Sequence, residues 1–119
     1  MAAAALKVRK LVVERDQHCC ARCGWDICGQ YSIHHRKPRR MGGSKDPLTH
    51  SAANQILLCG SGVDLCHGHI ESNRAEALAL GWLLRDSRDP SDAPVLHALH
   101  GWVLLDTEGG WAPTGRRPI

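Results

Sequence analysis

Four of the six cysteines form two pairs that suit a tetrahedral zinc ion. Cys20 and Cys23 are two residues apart and precede Gly24, which permits a tight turn. Cys59 and Cys66 are separated by six residues that include two glycines, a longer spacing than the usual two to four or so. We predict one structural zinc ion held by these four thiolates. Other ligand sets would use Cys19, Cys28, His18 or His67, and disulfides are a further alternative.

A second group of candidate residues consists of histidines and one asparagine. His34 and His35 are adjacent in a short predicted strand, Asn54 precedes a second predicted strand, and His67 directly follows Cys66. A regular strand points successive side chains to opposite faces. His34 and His35 can therefore serve one substrate group only if that group sits at the frayed end of the strand.

In this order and spacing, the residues resemble the HNH endonuclease family. The stretches that carry the resemblance are Cys20-x-x-Cys23-Gly24, Ile33-His34-His35-Arg36-Lys37-Pro38-Arg39, Met41-Gly42-Gly43-Ser44, Asn54-Gln55-Ile56-Leu57-Leu58-Cys59 and Cys66-His67. The resemblance covers about residues 8–75. It implies a small α+β fold with a ββα-metal (His-Me finger) core, clamped here by the cysteine zinc site.

The resemblance also implies an activity, the metal-dependent hydrolysis of DNA phosphodiester bonds. His35 matches the general base that activates water, a task that suits an imidazole with an ordinary pKa near 6.5. His34 and His67 match the ligands of one catalytic divalent ion (Mg²⁺, Mn²⁺, Ni²⁺ or Zn²⁺), which stabilises charge on the phosphate and the leaving group. The expected products carry 5′-phosphate and 3′-hydroxyl ends. Phage-encoded relatives further suggest terminase or other packaging proteins as partners.

Two residues have alternative roles in this interpretation. Asn54 either holds the His35 strand in place through hydrogen bonds or ligates the catalytic ion. Glu71 follows His67 by four residues on a predicted helix, so that it could be a third ligand or its hydrogen-bond partner, although a surface glutamate is the simpler interpretation.

The charge distribution favours a polyanionic partner. Residues 1–45 carry ten Lys and Arg against three Asp and Glu, a net charge of +7, whereas the whole chain has +3. The densest positive run directly follows the histidine pair, and we expect it to contact the DNA backbone. This run consists of Arg36, Lys37, Arg39 and Arg40.

Several short elements must position these residues. Hydrophobic periodicity predicts a helix over 2–15, strands over 31–35 and 55–59, and a helix from residue 64 or 65 to Gly81. Residues 86–94 resemble a linker, and 95–99 and 102–106 a β-hairpin. We therefore expect a nuclease domain over 1–81 and a C-terminal hairpin extension over 82–119.

Composition excludes some classes of protein and leaves two rival functions. The 119 residues contain only 4% aromatic residues and no stretch as long as the ~20 apolar residues of a membrane span. The first six residues make a poor signal peptide, so we expect a cytoplasmic protein, in the host cytoplasm if phage-encoded. The rivals to a nuclease are a zinc-stapled DNA-binding module without catalysis and an interaction module for a packaging partner.

Overall fold

A computed structural model describes residues 2–27, 31–38 and 47–115 of the chain. These residues form a small α+β domain whose helices are α1 (Ala2–Arg15), α2 (Leu65–Ser72) and α3 (Arg74–Leu80). The strands are β1 (Tyr31–His35), β2 (Gln55–Cys59), β3 (Val95–His97), β4 (Gly101–Leu105) and β5 (Trp111–Pro113). The sequence-based boundaries of α1, β1 and β2 are confirmed.

The strands form two antiparallel sheets, one of two strands and one of three. Strands β1 and β2 pair alone, with Tyr31 opposite Cys59 and His35 opposite Gln55, so the sheet places one cysteine and one histidine at opposite ends. Strands β3, β4 and β5 form the second sheet in that order. The predicted hairpin is confirmed as β3 and β4, and β5 is a third strand that the sequence analysis did not anticipate.

The predicted helix after Leu65 is in fact two helices. α2 ends at Ser72, Asn73 leaves helical geometry with φ −132° and ψ 60°, and α3 begins at Arg74. α3 ends at Leu80, and Gly81 terminates it as predicted, because Gly81 adopts a left-handed conformation with φ +82°. None of the described helices is long and apolar enough to cross a membrane.

One hydrophobic cluster joins the two sheets. It includes Ile56 of β2, Ile70 of α2 and Val103 of β4, all fully buried. Trp82 also belongs to it, and the indole N–H donates to the carbonyl of Leu96 at 2.9 Å. The residues of the expected C-terminal extension therefore share a core with the strands that carry the histidines.

Asp16, at the end of α1, ties three elements together. Its buried carboxylate accepts hydrogen bonds from Arg15 of α1, from the backbone N–H of Leu57 in β2 and from His97 of β3. Burial raises the pKa of Asp16, but the hydrogen bonds from His97 and Arg15 outweigh it and hold the pKa below its ordinary value. The network fixes β2 against the second sheet.

The later part of the predicted linker over 86–94 is instead packed against β4 and against the residues that precede β2. Pro90 and Ala93 are buried, and residues 90–92 form a turn of 3-10 helix. The backbone carbonyls of this segment accept hydrogen bonds from Arg36, which follows β1 directly. A linker was expected because proline and polar residues are frequent in this segment. The buried guanidinium of Arg36 donates to the segment's backbone carbonyls and holds the segment in place.

Candidate metal and catalytic site

The four predicted zinc ligands come together in one cluster, the cysteine site. The sulfur atoms of Cys20, Cys23, Cys59 and Cys66 all lie within 4.8 Å of one another. The Sγ atoms of Cys23 and Cys59 are 4.0 Å apart, close to the ~3.8 Å between two sulfurs bound at about 2.3 Å to a tetrahedral zinc ion. The donor set and spacing fit zinc, so the cysteine site is a possible zinc site.

Local structure explains how distant cysteines meet. Cys20 and Cys23 lie in a turn that Gly24 closes with φ +79°, and the N–H of Gly24 donates to the carbonyl of Cys20. Cys59 ends β2, and Cys66 lies in the first turn of α2. Burial raises the pKa of the Cys66 thiol, a penalty that a bound cation would offset by stabilising the thiolate.

A second cluster, the histidine site, contains His34, His67 and Glu71, each with one donor atom within 4.8 Å of the others. Nδ1 of His34 lies 3.3 Å from Nε2 of His67, and Oε1 of Glu71 lies 3.9 Å from both nitrogens. Two nitrogen ligands of a tetrahedral ion with bonds of about 2.05 Å are separated by about 3.3 Å. Glu71 thus joins the two predicted ligands, and the sequence analysis had left its role open.

Hydrogen bonds define which nitrogen of each imidazole carries the proton. Nε2 of the buried His34 donates to the carbonyl of Trp82 at 2.7 Å, which leaves a lone pair on Nδ1. The hydroxyl of Ser32 donates to the carbonyl of Gly60, so Nδ1 of His67 donates to that hydroxyl and the lone pair lies on Nε2. The two nitrogens that face each other are therefore both acceptors.

Electrostatics favour the neutral form of both rings. Burial lowers the pKa of His34 to about 3, although the hydrogen bond to the Trp82 carbonyl opposes this shift. Burial also lowers the pKa of His67, against the attraction of Glu71. Two facing lone pairs beside a carboxylate form an arrangement that a divalent cation between them would stabilise.

His35 lies on the opposite face of β1 from His34, as the strand geometry predicts, and is not one of the three donors. It is partly exposed, whereas His34 is buried. The ring of His35 contacts the ring of His50 edge-to-face, with 5.9 Å between the centroids. His35 is therefore separate from the donor cluster and accessible to water.

Asn54 is fully buried, and within the described residues its side chain bonds to backbone groups. The amide oxygen accepts from the N–H of Lys37 at 2.8 Å, and the amide nitrogen donates to the carbonyls of Lys37 and Thr49. Of the two roles considered for Asn54, the structure favours the hydrogen-bonding one, because both the oxygen and the nitrogen of the amide are bonded to backbone groups and hold the segment after β1.

The expected DNA-contacting run requires a correction. Arg36 is fully buried, and its guanidinium donates to backbone carbonyls of Ala53, Gly81 and the 90–94 segment. Lys37 is only 6% exposed, and its ammonium donates to the carbonyl of Arg88 at 3.1 Å. The prediction that Arg36 and Lys37 lie on a DNA-facing surface is wrong, because both side chains point inward and donate to backbone carbonyls of residues 88–93. Arg39 and Arg40 lie outside the described residues.

Sequence reasoning missed the groups that orient the imidazoles. Ser32 could have been found, because it lies two residues before His34 and hence on the same face of β1. The carbonyl of Trp82 gave no such signal, since it reaches His34 only through tertiary packing. No family model, curated protein or solved structure matches this chain.

Proposed function

We propose that this chain is a metal-dependent DNA endonuclease of the HNH type. The observation that carries the proposal is the histidine site, where two unprotonated nitrogens face each other at 3.3 Å beside a carboxylate. Supporting it, β1 and β2 are antiparallel and are followed by α2, so that the ligands come from a strand and a helix in the order of a ββα-metal core.

In this proposal the chain divides the work of hydrolysis between the two faces of β1. His34, His67 and Glu71 hold a divalent ion, which when bound supplies electrostatic stabilisation to the phosphate and the departing 3′ oxygen. His35, on the water-accessible face, accepts a proton from the attacking water. Asn54 keeps the chain beyond His35 in place, and the cysteine site holds a structural zinc ion.

The substrate class follows from charge. With Arg36 and Lys37 buried, the candidates for phosphate contacts include exposed cations of α1, with Arg39 and Arg40 as further candidates. The exposed α1 residues are Lys7, Arg9 and Lys10. Binding through such contacts weakens steeply as salt rises. Binding releases counterions from the DNA, and this release is less favourable when the salt concentration in solution is high.

The test is cleavage of supercoiled plasmid by purified protein with Mg²⁺, Mn²⁺ or Ni²⁺, with and without chelator. His35→Ala should slow cleavage by about 10²–10⁴-fold while metal binding and DNA binding are retained. His67→Ala should abolish binding of the second ion as well as cleavage. The matched control is His69→Ala, because His69 is a partly exposed histidine of the same helix α2 that bonds to Glu76 instead.

Two results would contradict the proposal. One is wild-type protein that binds DNA but cleaves none of it with any of these ions, which would favour the non-catalytic DNA-binding module. The other is a His35→Ala variant that cleaves as fast as the His69→Ala control.

A further inference from the structure

Arg22 lies between two cysteines of the cysteine site and reaches a third. It occupies the turn from Cys20 to Cys23, and its Nη1 donates to Sγ of Cys66 at 3.2 Å. The side chain is 25% exposed, and the nearest carboxylate oxygen, on Glu76, lies 3.9 Å from Nη2. Arg22 therefore bonds directly to a sulfur that is one of the possible zinc ligands.

The same guanidinium also covers the aromatic ring of Trp82. The central carbon of the guanidinium is 5.3 Å from the centroid of that ring, within the range of a cation–π contact. Trp82 is only 5% exposed, and its carbonyl accepts the hydrogen bond that orients His34. Arg22 thus donates to a cysteine ligand with one nitrogen and lies over the ring of the residue that orients a histidine ligand.

The position of Arg22 has a cost, which indicates that these contacts hold it there. Nε of Arg22 is buried and has no hydrogen-bond partner within the described part of the chain. An unsatisfied buried donor costs about 1–3 kcal/mol. The contacts with the sulfur and the indole offset this cost.

A cation beside the cysteine site is electrostatically favourable when zinc is bound. Four thiolates around a Zn²⁺ ion leave a net charge of −2, and hydrogen bonds to the sulfurs from a cationic side chain disperse it. Arginine suits this contact better than lysine, because its planar group can donate at the edge while stacking on a ring.

We propose that Arg22 is a positioning residue that couples the cysteine site to the histidine site. This inference rests on the proposed function, since it takes the histidine site as a metal site. Zinc at the cysteine site fixes Cys66 and Arg22, Arg22 fixes Trp82, and the Trp82 carbonyl fixes His34. The adjacent residues Cys66 and His67 provide a parallel connection through α2.

The coupling makes a quantitative prediction about both ions. Partners that orient metal ligands commonly change metal affinity by about 10–100-fold when they are removed. Arg22→Met keeps much of the length of the side chain but loses the charge and the donors. It should weaken the binding of a second ion at the histidine site about 10-fold, and it should speed the release of zinc from the cysteine site.

The experiment is calorimetric titration of Ni²⁺ into zinc-loaded protein, with zinc content measured before and after to exclude exchange at the cysteines. His67→Ala assigns the heat to the histidine site. A competing chromogenic chelator measures zinc release. Arg22→Lys retains a cation that can donate to Cys66, so we expect it to restore zinc retention more fully than Ni²⁺ affinity. Arg85→Met, at an exposed arginine, is the matched control.

The possible failures are distinguishable. Wild-type protein that binds no Ni²⁺ at His67 overturns the histidine metal site and the coupling together. If the wild type binds Ni²⁺ and cleaves DNA but Arg22→Met and Arg22→Lys bind Ni²⁺ like Arg85→Met, only the coupling is overturned. If Arg22→Met does not fold, the same comparison is made with Arg22→Lys, for which unchanged Ni²⁺ affinity again overturns the coupling.

Discussion

Arg36 provides the sharpest test of the structure, because sequence and tertiary structure assign it opposite roles. Its guanidinium donates to carbonyls of Gly81 at 2.8 Å, Ala53 at 2.9 Å, Pro90 at 3.0 Å and Ala93 at 2.7 Å, with a longer contact of 3.4 Å to Pro94. Burial lowers the pKa of Arg36 to about 9, so the group is still protonated at neutral pH and all of these donors are present.

Arg36→Met removes these donors and leaves the carbonyls buried. With about 1–3 kcal/mol for each unsatisfied group, four good hydrogen bonds correspond to about 4–12 kcal/mol. The lower end applies, because removing a buried charge also relieves its desolvation. We expect a loss of about 4 kcal/mol in the free energy of unfolding, a large part of the ~5–15 kcal/mol that stabilises a typical domain.

The measurement is urea denaturation at saturating zinc, followed by the tryptophan fluorescence of the chain, to which the buried Trp82 contributes. Arg36→Lys should lose less than Arg36→Met, because an ammonium can still reach some of the carbonyls. The control Arg85→Met should stay within about 0.5 kcal/mol of the wild type. The reasoning is refuted if Arg36→Met unfolds like the control but binds DNA more weakly and with a shallower salt dependence, which is the signature of a phosphate contact.

Two further predictions concern pH and backbone conformation. The folded-state pKa of His34, about 3, lies below the ordinary value of 6.5, so the unfolded chain binds the extra proton first. Metal-free protein should therefore lose stability as pH falls from about 6.5 towards 3, by roughly 2 kcal/mol at pH 5. Urea titrations across this range should show a smaller loss for His34→Asn, and an equal loss would contradict the burial of that ring. Gly81→Ala should cost about 2–4 kcal/mol, because φ is +82° and the added Cβ would meet the Pro94 carbonyl at 2.0 Å. Gly101→Ala, with φ +77° but open space, should cost about 1–2 kcal/mol, and Gly62→Ala almost nothing. Thermal melts that rank the three variants differently would contradict the close approach of Gly81 to Pro94.

The local elements could be predicted from the sequence because short-range patterns determine them. The apolar run from Ile56 to Leu58 specifies a buried strand, and Gly81 specifies the end of a helix through its left-handed conformation. The grouping of Cys20, Cys23, Cys59 and Cys66 at one site was predictable for a similar reason, since donor type and spacing restrict which ligands can surround one ion.

Side-chain direction and partner choice depended on tertiary packing. A basic run after a strand has the same sequence pattern whether it faces solvent or interior. Arg36 turns inward only because residues 90–94 lie beside it with carbonyls that need donors. Glu71 joins His34, and Arg22 reaches Cys66, through approaches between segments far apart in the chain. The sequence by itself therefore determined the strands, the termination of α3 by Gly81 and the types of donor atom at the two sites. The tertiary structure decided which cations are buried and which donors meet, because burial and contact are properties of the packed chain.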